Sequence, residues 1–194
     1  SLSSAIMKNF DAVLKEINPD LVMVHGDTTT SFCTSMTAYN RKIKVAHVEA
    51  GLRSGNIYSP WPEEGNRSLI SQLSTFHFSP TKKNKKNLIK EGISPENIFI
   101  TGNTVIDALF EISKKLEKKI LQPKFSYEKN LARINFKKKI VMITGHRRES
   151  FGENFEEICH AIKFLSEKFP DVQYVYPVHL NPNIKEPVER ILGE

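Results

Sequence analysis

The 194-residue chain is 39% hydrophobic and 26% charged, with a formal net charge of +6. That apolar content supports a globular core and excludes a disordered chain, and no run approaches the length of a bilayer span. The positive excess is mostly lysine, in Lys82–Lys86, Lys114–Lys119 and Lys137–Lys139; without interleaved aromatics or much arginine, these runs read as solvated helix faces and a link rather than a nucleic-acid surface, and they leave anionic ligands such as nucleotides compatible.

In chain order, Ser1–Phe10 shows no signal-peptide pattern and begins in a helical one. Short apolar runs follow. "DLVMVHGD" (Asp20–Asp27) and "KVAHVEA" (Lys44–Ala50) read as buried strands. So do "TFHFSP" (Thr75–Pro80), "NIFITGN" (Asn97–Asn103), "KIVMITGH" (Lys139–His146) and "VQYVYPVH" (Val172–His179). Helical stripes lie between them. Val105, Leu109, Ile112 and Leu116 make one, and Phe155, Ile158, Ile162, Leu165 and Phe169 another. Strands alternating with helices predict an α/β fold with parallel sheets. Residues 114–138 are lysine-rich and weakly periodic. They predict a connection between residues 1–113, the C-terminal part of a first Rossmann-like domain, and 139–194, the start of a second. With about four strands and two, both halves fall short of a full nucleotide-binding domain. The two cysteines, Cys33 and Cys159, are too far apart in pattern to suggest a disulfide framework or a metal site, and they fit a reducing, cytoplasmic setting.

"HVEAGLRSGNIYSPWPEEGNR" (His47–Arg67) puts three glutamates into one loop region. In open parallel sheets ligands bind beyond the carboxyl ends of the strands. Asp27 and Glu49 lie at two such ends, and Glu63 opens the helix after the loop. Carboxylates converging on one edge suit proton transfer. Each also has a plain structural reading. Asp27 could cap the helix after "TTTS", Glu49 could pair with Arg53, and Glu63 could pair with Arg67 four residues on. Glu64 is rotated away from Glu63 and is expected to have a different role. Trp61, between two prolines, is expected to pack the loop. His25, His47 and His77 read as core histidines. "TGHRRES" (Thr144–Ser150) is a cationic strand-to-helix turn. His146 and Arg147 there suit a diphosphate. His179, in "PVHLNPN", ends the next strand on the same edge.

Taken together, "VHGDTTTS", "HVEAGLRSGNIYSPWPEEGNR", "FITGNTVIDAL", "TGHRRESFG" and "YPVHLNPN" occur in order. The chain thereby resembles the non-hydrolysing UDP-N-acetylglucosamine 2-epimerases of bacteria over essentially all its residues. The resemblance implies two Rossmann-like domains facing a cleft, the glycosyltransferase-B arrangement. It implies interconversion of UDP-N-acetylglucosamine and UDP-N-acetylmannosamine without a metal or nicotinamide cofactor, in a homodimer that uses neither nucleic acid nor membrane. It carries catalytic roles to Asp27, Glu49, Glu63 and His146; Arg67, Arg147 and His179 are the expected substrate-binding residues. The family's first strand with its "GTRPE"-like loop, and its later "DSGG" segment, do not occur here, so a central piece of the enzyme is expected. A hydrolysing epimerase and a glycosyltransferase of the same architecture remain the alternatives.

Overall fold

The computed structural model describes residues 1–118, 132–145 and 152–193. The chain divides into two compact units, Ser1–Leu121 and Gln122–Glu194. In the first, α1 (Leu2–Ile17), β1 (Leu21–His25), α2 (Thr29–Asn40), β2 (Lys44–Val48), α3 (Glu63–Leu73), β3 (Phe76–Ser79), α4 (Lys82–Lys90), β4 (Ile98–Ile100) and α5 (Thr104–Glu117) follow one another. The second holds β5 (Lys139–Met142), α6 (Glu153–Lys168), β6 (Val172–Val175) and α7 (Pro182–Leu192).

The four strands of the first unit pair in parallel in the order β1-β2-β3-β4, with Val24 opposite His47 and His47 opposite His77. β5 and β6 form a parallel pair in the second. The expected α/β class with parallel sheets is therefore present in each unit. Every predicted strand exists but ends sooner than its apolar run. β1 stops at His25 and β2 at Val48, because the chain turns at Gly26 and Glu49, whose φ values are +69°.

Helix starts follow their capping chemistry. Thr28 caps α2 by accepting from the Ser31 N–H at 3.1 Å, Thr81 caps α4, and Asn103 caps α5. α2 packs between α1 and α3 and lies on β1 and β2. Leu14, Val22, Val24, Ala38, Val45 and Ile70 form the resulting core. A second cluster, Ala50, Leu88 and Ile98, seats α4 under the end of β2. In the second unit, Phe155 and Cys159 of α6 close on Ile184, Val188 and Ile191 of α7.

Two helical stripes differ from expectation. On α5, Val105, Leu109, Ile112 and Leu116 are all exposed. On α6, Ile158 and Leu165 are exposed, as is Phe169 just past its end, and the buried face runs through Phe155 and Cys159. A stripe read from periodicity marks an apolar face but not the surface that covers it. No helix among the described residues is long and apolar enough to cross a membrane.

Side by side in the sheet, His47 and His77 are fully buried. Burial lowers each imidazole to about 4, since a charged ring would lose its hydration. His25 differs: its side chain is well exposed at the end of β1, so the expectation of three core histidines holds for only two. Both buried rings are neutral in the fold and protonate more readily in the unfolded chain, near 6.5. Their contribution is thus complete above that value and is lost as pH falls toward 4. The urea midpoint of the whole protein should fall on acidification from about pH 7.5 to about pH 5, by as much as about 4 kcal/mol of stability. An unchanged midpoint over that range would contradict two buried neutral histidines.

Candidate functional site

The carboxyl ends of β1 and β2 lie side by side because the strands pair in parallel and in register. The turn after β1 is held by backbone and by imidazole. Gly26 N–H donates to Val48 O at 3.0 Å, and His47 Nε2 lies 2.8 Å from Gly26 O. A carbonyl only accepts, so the neutral ring carries its proton on Nε2. Asp27 follows directly. Thr28, not Asp27, caps α2, so the helix-cap reading of Asp27 is set aside. Its carboxylate instead pairs with Arg67 of α3, through Oδ2 and Nη2. The backbone carbonyl of Asp27 accepts from Asn66 Nδ2 at 2.9 Å.

Glu49 occupies a left-handed backbone position, unusual for a residue with a Cβ. The following N–H, of Ala50, donates to Phe78 O at 3.0 Å and so secures the turn to β3. This geometry folds the Glu49 side chain back over Gly26. A Cβ at position 26 would sit 3.4 Å from Glu49 Oε2. His25 Nε2 lies 3.6 Å from the same oxygen. Asp27 and Glu49 thus flank one glycine. The structural pair considered for Glu49 does not form: Arg53 is bidentate to Glu91 at 2.7 Å on both oxygens, and it also donates to Ser71 Oγ and Leu52 O.

Glu63 stands in the first turn of α3, one turn before Arg67. The two do not pair; the partners of Arg67 are Asp27 and Glu64. Glu63 Oε2 and Arg67 Nε are buried without hydrogen-bond partners among the described residues. Glu64 is more deeply buried than either, with its side chain 5% exposed. Its Oε1 accepts from the N–H groups of Ser54 and Gly55 at 3.0 and 3.3 Å. Its Oε2 lies 3.3 Å from Arg67 Nη1, an ionic contact outside hydrogen-bond geometry. Trp61 is 63% exposed and does not pack the loop, contrary to expectation; Glu64 ties the loop down instead. The Ser59–Pro60 and Trp61–Pro62 peptide bonds are cis.

In the second unit, His179 is exposed past the end of β6, and its Nδ1 accepts from the Asn181 N–H at 3.1 Å. It borders a hollow of about 640 Å³ that Ile143, Tyr176, Leu180 and Lys185 also line. Tyr176 Oη donates to Gly145 O at 2.6 Å and so fixes the chain just before His146. His146 and Arg147 themselves lie outside the described residues.

The structure therefore brings Asp27, Glu49 and Arg67 to one edge of the first sheet, with Glu63 one turn before Arg67 on α3, and His179 past the end of β6 in the second unit. Sequence reasoning gave Asn66 and Tyr176 no role; it read His47 correctly as a core histidine without its contact to Gly26, and Glu64 only as a residue with a role other than that of Glu63. The i, i+3 spacing of Glu64 and Arg67 was a signal for one of them. The Arg53–Glu91 pair spans 38 residues and left no local trace.

A family model described as UDP-N-acetylglucosamine 2-epimerase matches residues 1–194. The UDP-N-acetylglucosamine 2-epimerase of Escherichia coli K12 is 50% identical over 99% of this chain and 51% of its own length. That of Campylobacter jejuni is 53% identical over 96% of this chain and 48% of its own. A crystal structure of UDP-GlcNAc 2-epimerase from Neisseria meningitidis, bound to UDP-GlcNAc, superposes with a TM-score of 0.89 at 43% identity, covering 99% of this chain and 51% of that one. The chain spans about half the length of the curated relatives it matches.

Gly51 shows how tightly this edge is built. Its φ is +89°, its carbonyl accepts from Asn84 and Asn87 of α4, and an added Cβ would lie 2.9 Å from the Asn84 carbonyl carbon. Backbone cannot yield there as a side-chain tip could. Gly51→Ala should lower stability by about 3 kcal/mol or more, through strain and a displaced helix. Chemical denaturation measures it, and a loss under about 1 kcal/mol would show that the close approach is soft.

Proposed function

This chain belongs to the UDP-N-acetylglucosamine 2-epimerase family, and from that premise we propose that the whole protein interconverts UDP-N-acetylglucosamine and UDP-N-acetylmannosamine without hydrolysing either. The observation that carries the reading is the acidic edge of the first unit. Asp27 and Glu49 flank Gly26, and α3, which opens with Glu63, brings Arg67 onto Asp27.

The hydrogen at C2 of the sugar is not acidic in the ground state. The proposed reaction therefore begins at C1. The C1–O bond to UDP breaks and its electron pair leaves with the diphosphate. Positive charge grows on C1 and the ring oxygen, which acidifies C2–H. A carboxylate then takes the C2 proton, and the C–H pair becomes the C1–C2 double bond of a glycal. Return runs in reverse, with a proton delivered to the opposite face of C2 and the UDP oxygen rejoining C1. Asp27, Glu49 and Glu63 are the groups proposed for proton transfer and for stabilising the cationic charge. The unpartnered buried oxygen of Glu63 suits a sugar hydroxyl, because leaving such an atom unsatisfied costs about 1–3 kcal/mol.

His146 and Arg147 are proposed at the departing diphosphate, where negative charge builds up, with His179 and Arg67 as further substrate contacts. On this reading the carboxylates act at the sugar and His146 and Arg147 at the leaving group, and water has to be kept from the intermediate. The proposal also includes a cytoplasmic homodimer that supplies UDP-N-acetylmannosamine for cell-surface polysaccharide, with no metal or nicotinamide cofactor.

The test uses the whole protein in D₂O with UDP-N-acetylglucosamine, followed by NMR. Deuterium should enter C2 as UDP-N-acetylmannosamine forms and UDP stays attached. Asp27→Asn, Glu49→Gln and Glu63→Gln should each slow turnover by about 10²–10⁴ while remaining folded. Free N-acetylmannosamine with released UDP would point to the hydrolysing reaction. Transfer only on adding an acceptor would point to a glycosyltransferase. Full activity in two of the variants would overturn the site.

A further inference from the structure

Glu64 stands beside Glu63 and is easily taken for a second first-turn carboxylate placed for the helix dipole. Its surroundings say otherwise. A dipole-serving glutamate sits in solvent, whereas this side chain is 5% exposed, with one oxygen accepting two N–H groups and the other in ionic contact with a guanidinium. Oε1 gathers the N–H groups of Ser54 and Gly55, at the start of the loop that runs to Pro62. Oε2 faces Arg67 Nη1, while the other end of that guanidinium, Nη2, holds Asp27. The chain of contacts runs from the loop, through Glu64 and Arg67, to the aspartate at the end of β1.

We propose that Glu64 is a positioning residue that locks the Ser54–Pro62 loop and the Arg67–Asp27 pair into one arrangement. In its activity readout this rests on the epimerase reading above. The chemistry is specific to a carboxylate. Both of its neighbours are donors, backbone N–H on one side and guanidinium on the other. A glutamine has one acceptor oxygen and one NH₂, so it can satisfy one neighbour only by turning a donor toward the other. If the NH₂ faces Arg67, the cation is left to Asp27 alone; if it faces the loop, two N–H groups lose their acceptor. Either way the geometry around Asp27 loosens while the side-chain volume stays constant. A carboxylate misplaced by about 1 Å can cost about 10²-fold in rate.

The experiment compares Glu64→Gln and Glu64→Asp with the whole wild-type protein. Three quantities are read: kcat and KM for UDP-N-acetylglucosamine, the melting temperature, and the rate of chymotryptic cleavage after Tyr58, which is 77% exposed in the loop. Glu64→Gln should fold but melt below wild type, lose about tenfold or more in kcat with KM within about threefold, and be cut faster. Glu64→Asp keeps two acceptor oxygens one methylene shorter, and it should recover part of the kcat. It also serves as the reading variant should the glutamine protein not fold. A folded variant with wild-type kcat, or with wild-type cleavage, overturns the proposal. If the wild type itself turns over no UDP-N-acetylglucosamine, the epimerase reading fails instead, and the cleavage rate alone then decides whether Glu64 holds the loop.

Discussion

A guanidinium taken almost wholly out of water has to be paired, and the Arg67 side chain is only 14% exposed. Its partners decide how this edge of the fold is put together. Asp27 belongs to the turn after β1, and Glu64 is tied to the loop after β2. Arg67 itself rides on α3, which Ile70 anchors in the core. One buried cation therefore joins the turn after β1, 40 residues away, to α3 and the loop that leads into it. A buried charge that loses one partner is strongly destabilised, so the three segments hold their places together.

The backbone under the carboxylates is fixed just as firmly, by neutral groups. His47 is buried and uncharged, and it can spend its ring N–H on Gly26 O without bringing a charge into the sheet. Glu49 takes a left-handed conformation that costs roughly 1 kcal/mol for a residue with a Cβ. The bonds Gly26 N–H to Val48 O and Ala50 N–H to Phe78 O lie on either side and offset that cost. The result is two carboxylates held around a glycine before any substrate arrives. In the proposed reaction, preorganisation of that kind would stabilise developing charge without reorganisation.

The second unit repeats the plan more sparely. β5 and β6 run parallel, α6 and α7 pack together, and Tyr176 fixes Gly145 at the point where the chain leaves the strand. His179 sits past the neighbouring strand with its Nδ1 already committed to the Asn181 N–H. Acidic chemistry thus gathers in one unit, and the proposed cationic turn belongs to the other.

Much of this was legible in the residues alone. Buried parallel strands read as nearly continuous apolar runs, so all six were visible, and the rule that sites form beyond strand ends picked out Asp27 and Glu49. The helix caps at Thr28, Thr81 and Asn103 are local as well, a side chain reaching two or three residues ahead, yet the residues alone had offered Asp27 for the first of them. Tertiary structure alone decided which charges meet. Arg53 chose Glu91 and Arg67 chose Asp27 across 38 and 40 residues, in preference to the nearer Glu49 and Glu63. It also buried Glu64, exposed Trp61, and turned Glu49 into a left-handed position. Periodicity and capping act within one or two turns of the chain, whereas a charge pair depends on which segments packing brings together.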